Sequence, residues 1–182
     1  TKAFLVFGTS RNSASPQDFN VRGQLSATDT ITFNRLNGTG TVDIYWYVVE
    51  FLNGVAVQRG TVTMTGNGLV TDTFTAVDLT RSFPIATFQN SSGSVTMGSD
   101  DFMRYELTAN NELTFETNNS TGTAVIDWQV IEYTDATVQS GTIVQSTGNG
   151  NTGAIILTDT ISSIDPARSW LIYSNDVSFN TN

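Results

Sequence analysis

The chain contains no cysteine and no histidine, and its one lysine is Lys2. Each absence excludes chemistry. Without Cys or His there is no disulfide frame, no zinc site of the usual kind, and no Ser-His or Cys-His nucleophile. Basic residues number 8 against 17 acidic ones, a net charge of −9. Phosphate backbones and anionic lipid surfaces need clustered Lys and Arg, so neither nucleic acid nor a membrane surface is an expected partner. No apolar run approaches the roughly 20 residues of a bilayer span, so membrane insertion is not expected. Charged residues make up 14% of the chain, against about a quarter in an average soluble domain.

Thr, Ser and Asn fill that gap, with 29, 17 and 16 copies. Such a composition, low in lysine, suits exported or virion-surface proteins. Strand-like residues begin almost at the first position, which leads us to expect a processed or excised segment. The hydrophobic pattern has period two rather than 3.6. Residues 30–33, 42–51 and 55–64 alternate and are rich in Thr, Val, Ile and aromatics, as half-buried strands are. Asn37-Gly38, Asn53-Gly54, Asn67-Gly68 and Asn149-Gly150 punctuate them. Asn-Gly favours tight hairpin turns, so Asn53-Gly54 is expected to join residues 42–51 and 55–64 as an antiparallel hairpin. Thr134-Asp135 should do the same later in the chain. Residues 8–20 and 89–101 read as long polar loops, where binding often resides. Essentially no helix is expected.

An internal repeat organises the chain. Residues 25–52 align with residues 107–134 at an offset of 82, with 12 of 28 positions identical. The match continues through Val57-Gln58 and Val138-Gln139, then Gly60-Thr61 and Gly141-Thr142. It ends at Asp78, Arg81 and Ser82 against Asp165, Arg168 and Ser169. Three segments read as copies of one strand: Ala3-Phe4-Leu5-Val6-Phe7, Ser82-Phe83-Pro84-Ile85-Ala86 and Ser169-Trp170-Leu171-Ile172-Tyr173. The expected architecture is all-β: two tandem antiparallel β-sandwich modules, Ig-like or jelly-roll-like, over residues 1–80 and 81–167. Residues 168–182 form one extra strand, equivalent to the start of a third repeat. That spare strand lies on an edge of its own subunit or completes a neighbour. The pattern leaves open whether each module closes on itself or the two share strands.

Two copies in one chain indicate which face is core. Ile44, Trp46, Val48 and Glu50 match Ile126, Trp128, Val130 and Glu132, whereas the interleaved Asp43, Tyr45 and Tyr47 differ from Val125, Asp127 and Gln129. Trp46, Trp128, Glu50 and Glu132 are therefore expected to mark the core face. Tyr45 and Tyr47, with Trp170 and Tyr173 of the spare strand, are the candidates for binding or an interface. One Glu per module in the same place suits a structural role, accepting from backbone N–H groups or pairing with the module's arginine, better than a catalytic pair. Asp78 with Arg81, and Asp165 with Arg168, read as turns closed by an Asp side chain. Asp100-Asp101 is the one loop that hard-cation chemistry would favour, and an acidic solvated loop explains it better. No catalytic residue, metal or cofactor is expected.

The strings Trp46-Tyr47-Val48-Val49-Glu50-Phe51, Val57-Gln58-Arg59-Gly60-Thr61 and Ala76-Val77-Asp78 with Arg81-Ser82-Phe83 resemble repeat modules of phage and prophage virion proteins. The second copy departs from that pattern where Ser140 replaces the arginine. The resemblance implies a tail-associated or capsid-surface structural role and carries no functional residue. The expected function is thus a non-enzymatic structural protein of a virion or extracellular surface. It would self-associate, or join other proteins of the same assembly, through β-rich surfaces. The alternative is a module that binds surface carbohydrate or a receptor, of the adhesin or tail-fibre type.

Overall fold

The computed structural model describes residues 2–11, 15–38, 40–90, 96–118, 123–144 and 156–177. The fold is all-β. Its strands are β1 Ala3–Arg11, β2 Arg22–Ala27, β3 Thr30–Asn34, β4 Val42–Glu50, β5 Val55–Thr65, β6 Leu69–Thr73, β7 Ser82–Asn90, β8 Arg104–Ala109, β9 Glu112–Glu116 and β10 Thr123–Tyr133. A single helical turn, α1, spans Pro16–Phe19. Every pairing is antiparallel, in the orders β1-β4, β2-β3, β5-β10-β7 and β6-β9-β8.

The two three-stranded sheets each combine strands from both sides of the expected boundary at residues 80 and 81. β5 and β6 precede it, and their partners β10 and β9 follow it. One hydrophobic cluster unites both sheets: Met64 of β5, Leu113 and Phe115 of β9, and Ala124, Ile126, Trp128 and Val130 of β10. A second cluster joins Phe4 of β1 to Val55, Val57 and Ile131.

β10 is buried on both faces, as a strand paired on both edges and covered above and below must be. Ala124, Ile126, Trp128 and Val130 enter the first cluster. On the opposite face Asp127, Gln129 and Ile131 meet β1 and β2. Gln129 brackets the Leu5 backbone, accepting from its N–H and donating to its carbonyl at 2.9 Å each. Asp127 takes two bonds from Arg22 at 2.9 Å and one from Thr61 at 2.7 Å. The face that differs between the copies is thus a contact in this copy, since buried polar groups must find partners.

Three sequence expectations need correction. Asn53-Gly54 makes a turn, with Gly54 at φ 75°, but closes no hairpin: β4 pairs with β1, and β5 pairs with β10. Thr134-Asp135 likewise joins no pair among the described residues. The short hairpins are β2-β3 and β8-β9, turning at Thr28-Asp29 and Asn110-Asn111. Asn-Gly signals a tight turn locally, but which strands pair is decided by burial across the whole fold. Finally, the expected loop after Gly8 begins later, because β1 continues to Arg11 along β4. Asn149-Gly150 lies outside the described residues.

Two features yield tests. Trp128 packs against Gly60, where an added Cβ would sit 2.3 Å from the indole. Gly60→Val should destabilise the chain by about 1–3 kcal/mol in urea unfolding, the usual cost of overpacking. The second feature is a polar knot. Asn20 donates to Asn90 at 2.7 Å, Asn90 donates to the Asp101 carboxylate, and the Gly98 N–H donates to it at 2.7 Å. Burial pushes the Asp101 carboxyl up from its ordinary 3.8. The folded state then holds that proton more tightly than the unfolded chain, so stability falls as pH rises from about 4 through the raised value. Melting temperature against pH should show this decline, and Asp101→Asn should flatten it.

Candidate assembly interface

β4 and β10 are copies that pair alike on one edge. Ala3 faces Glu50 as Ser82 faces Glu132, and Phe7 faces Trp46 as Ala86 faces Trp128. β2-β3 and β8-β9 also match residue for residue, with Arg22 opposite Asn34 and Arg104 opposite Glu116. Both hairpins shift register at the same place, after Leu25 and Leu107. The other edges differ. β10 has β5 and β9 has β6, whereas among the described residues β4 and β3 have no strand there.

Exposure follows from this. Trp128 is 4% exposed and donates its indole N–H to Asp72 at 2.8 Å; Trp46 is 52% exposed. Val130 is 1% exposed and Val48 40%. The core role expected for Trp46 therefore needs correction: the same face is core in the second copy and surface in the first, because among the described residues no strand covers it there. Tyr45 and Tyr47 are exposed as well, so β4 presents four consecutive large side chains, Tyr45 to Val48, on both faces. Glu132 accepts the Asp78 N–H at 2.9 Å. Its copy Glu50 is exposed and lies on a different sheet.

At the other end of the chain, residues 136–144 and 156–177 form no strand but keep the layout of β5 to β7. The Gln58 amide brackets Thr75 at 2.7 and 2.9 Å, and the Gln139 amide brackets Ser162 at 3.2 and 2.7 Å. Asp78 caps the turn at Leu79–Arg81 by accepting from Thr80 N–H, as Asp165 caps Pro166–Arg168 by accepting from Ala167 N–H. Each Asp also pairs with its Arg, at 3.5 and 3.6 Å. Phe83 meets Phe4 edge-on with centroids 6.3 Å apart, and Trp170 meets Phe83 at 6.0 Å. Thr87 Oγ1 accepts from Gly23 N–H and Ser174 Oγ from Tyr105 N–H, both at 3.1 Å.

Residues 136–144 and 156–177, the arm, thus repeat the Gln58 bracket and the Asp78 turn, and its Trp170 and Ser174 contact the second copy as Phe83 and Thr87 of β7 contact the first. It carries exposed Ile143, Val144, Ile156, Leu157, Trp170, Leu171 and Tyr173. Trp170 and Tyr173 were expected as interface candidates. Ile143, Val144, Ile156 and Leu157 were missed, although the repeat contains the signal: they stand where β5 and β6 stand, one copy later.

Comparison with known protein families, curated proteins and solved structures finds no match. Among the described residues no cluster of three or more acidic side chains could hold a metal ion. Asp101 is engaged in the polar knot. Among the described residues no helix is long and apolar enough to cross a membrane.

Proposed function

We propose that this chain is a non-enzymatic structural protein that self-associates through its sheet edges. We read it as tandem sandwich modules belonging to a virion or another extracellular surface. The observation that carries this reading is the contrast between Trp46 and Trp128: one residue of the repeat is solvent-facing in one copy and buried in the other. Exposed apolar side chains beside a strand edge that has no partner among the described residues mark an association site. The resemblance to phage virion modules supports the same reading, as does the polar, lysine-poor composition.

Sedimentation velocity and electron microscopy across a concentration series test it. Assemblies should grow with concentration, and Tyr45→Ser with Tyr47→Ser should weaken them by about tenfold or more, the usual effect of removing buried aromatic anchors. A chain that stays monomeric throughout refutes the reading. The second reading, a carbohydrate-binding module, rests on Tyr45 and Tyr47 exposed side by side on β4. A glycan array with wild type and Tyr45→Ala separates the two, since a structural protein should bind no glycan.

A further inference from the structure

We infer that copies of this chain join head to tail, residues 136–144 and 156–160 of one copy adding to those edges of β4 and β3 of the next that have no partner strand among the described residues. The inference rests on the self-association reading and specifies its geometry. The occupant is a second copy because one chain carries both halves of the joint. β4 and β3 repeat β10 and β9, the strands that receive β5 and β6. Residues 136–144 repeat β5, and Ile156-Leu157-Thr158-Asp159-Thr160 repeats Leu69-Val70-Thr71-Asp72-Thr73 of β6.

The internal joint dictates the register. Trp128 faces Gly60 and Asp127 faces Thr61 on β5, while Phe115 faces Val70 on β6. Carried across one repeat, Trp46 faces Gly141, Tyr45 faces Thr142, and Phe33 faces Leu157. The chemistry at each position fits. Gly141 offers the bare backbone that an indole needs, as Gly60 does. Asp159 stands where Asp72 stands, ready to accept the Trp46 N–H, and its carboxylate already lies 3.2 Å from the position a Gly141 Cβ would occupy. The odd-numbered face of β10 rests on β1 and β2; by the same step Tyr47 would rest on Pro84 and Tyr45 on Arg104 of the donor. All four exposed residues of β4 become covered.

One segment must move. Residues 169–177 of the donor sit where β1 of the acceptor would lie, since Trp170 touches Phe83 as Phe83 touches Phe4. β1 holds its place with buried Phe4 and Leu5 and nine paired residues, whereas Trp170, Leu171 and Tyr173 are exposed. The donor's last segment therefore gives way. The joint is heterologous, with different surfaces on the two partners, so it propagates into an open filament unless the rotation closes a ring.

The full chain tests this directly, because it contains no native cysteine. Tyr45→Cys mixed with Thr142→Cys should form a disulfide-linked dimer under mild oxidation. Tyr45→Cys mixed with Val138→Cys, four residues out of register or about 13 Å along the strand, should not. Gly141→Val should weaken association about 10- to 100-fold, the equivalent of an overpacked contact, with an unchanged circular-dichroism melt. Truncation after Arg168 should leave association at least as tight. Self-linkage of Tyr45→Cys alone would mean that two β4 edges pair with each other; it would overturn the head-to-tail joint and leave self-association standing. So would assemblies that ignore Gly141→Val, or a truncated chain that stays folded but no longer associates. A wild-type chain that is monomeric at every concentration overturns both, and leaves the two faces to further repeats of a longer chain.

Discussion

The structure depends on one constraint: a buried strand must have its backbone paired on both edges. β10 meets it with β5 on one side and β7 on the other. An unpaired N–H or C=O beside Trp128, in a region where side chains are almost fully buried, would cost as much as a lost hydrogen bond. Because β5 comes from before the repeat boundary and β7 from after it, the pairing ties the two copies together. Removing β5 would leave β10 in the condition of β4.

That dependence explains the distribution of burial. A stretch of about 80 residues buries a smaller fraction of its chain surface than a large domain does, and this chain has no cysteine to staple it. Its core forms only where strands from two successive copies meet. Around β10 and β9 that condition holds, and Met64, Leu113, Phe115 and Ile126 are fully enclosed. Around β4 and β3 it does not, and a tryptophan, two tyrosines and a valine face solvent. The Gln139 bracket and the Asp165 turn repeat those of Gln58 and Asp78, although residues 136–144 and 156–177 form no strand. Local hydrogen bonds set that shape, whereas pairing requires a partner strand.

Much of this was legible before the structure. Alternating Val, Thr and aromatic residues identified the strands, and the ungapped match at an offset of 82 identified the repeat. The identity of Ile126, Trp128 and Val130 with Ile44, Trp46 and Val48 pointed to the buried face. The hairpin at Asn53-Gly54 was not legible correctly, because a turn signal reports the backbone of two residues and says nothing about which edge the next strand seeks. Tyr45 and Tyr47 were singled out by their difference from Asp127 and Gln129. Residues 136–144 were not singled out, because as sequence they look like any other half-buried strand.

The sequence by itself determined the element type, the repeat and the residues that must be covered, because periodicity and side-chain chemistry are local properties. It also determined that Cys- and His-based chemistry is absent from these residues. Only the tertiary structure decided that covering strands come from the preceding copy, and hence that one tryptophan is core and its twin is surface. The physical reason is that strand pairing is non-local: the backbone groups of β5 and β4 are chemically alike, and which edges meet depends on how every face can be buried at once.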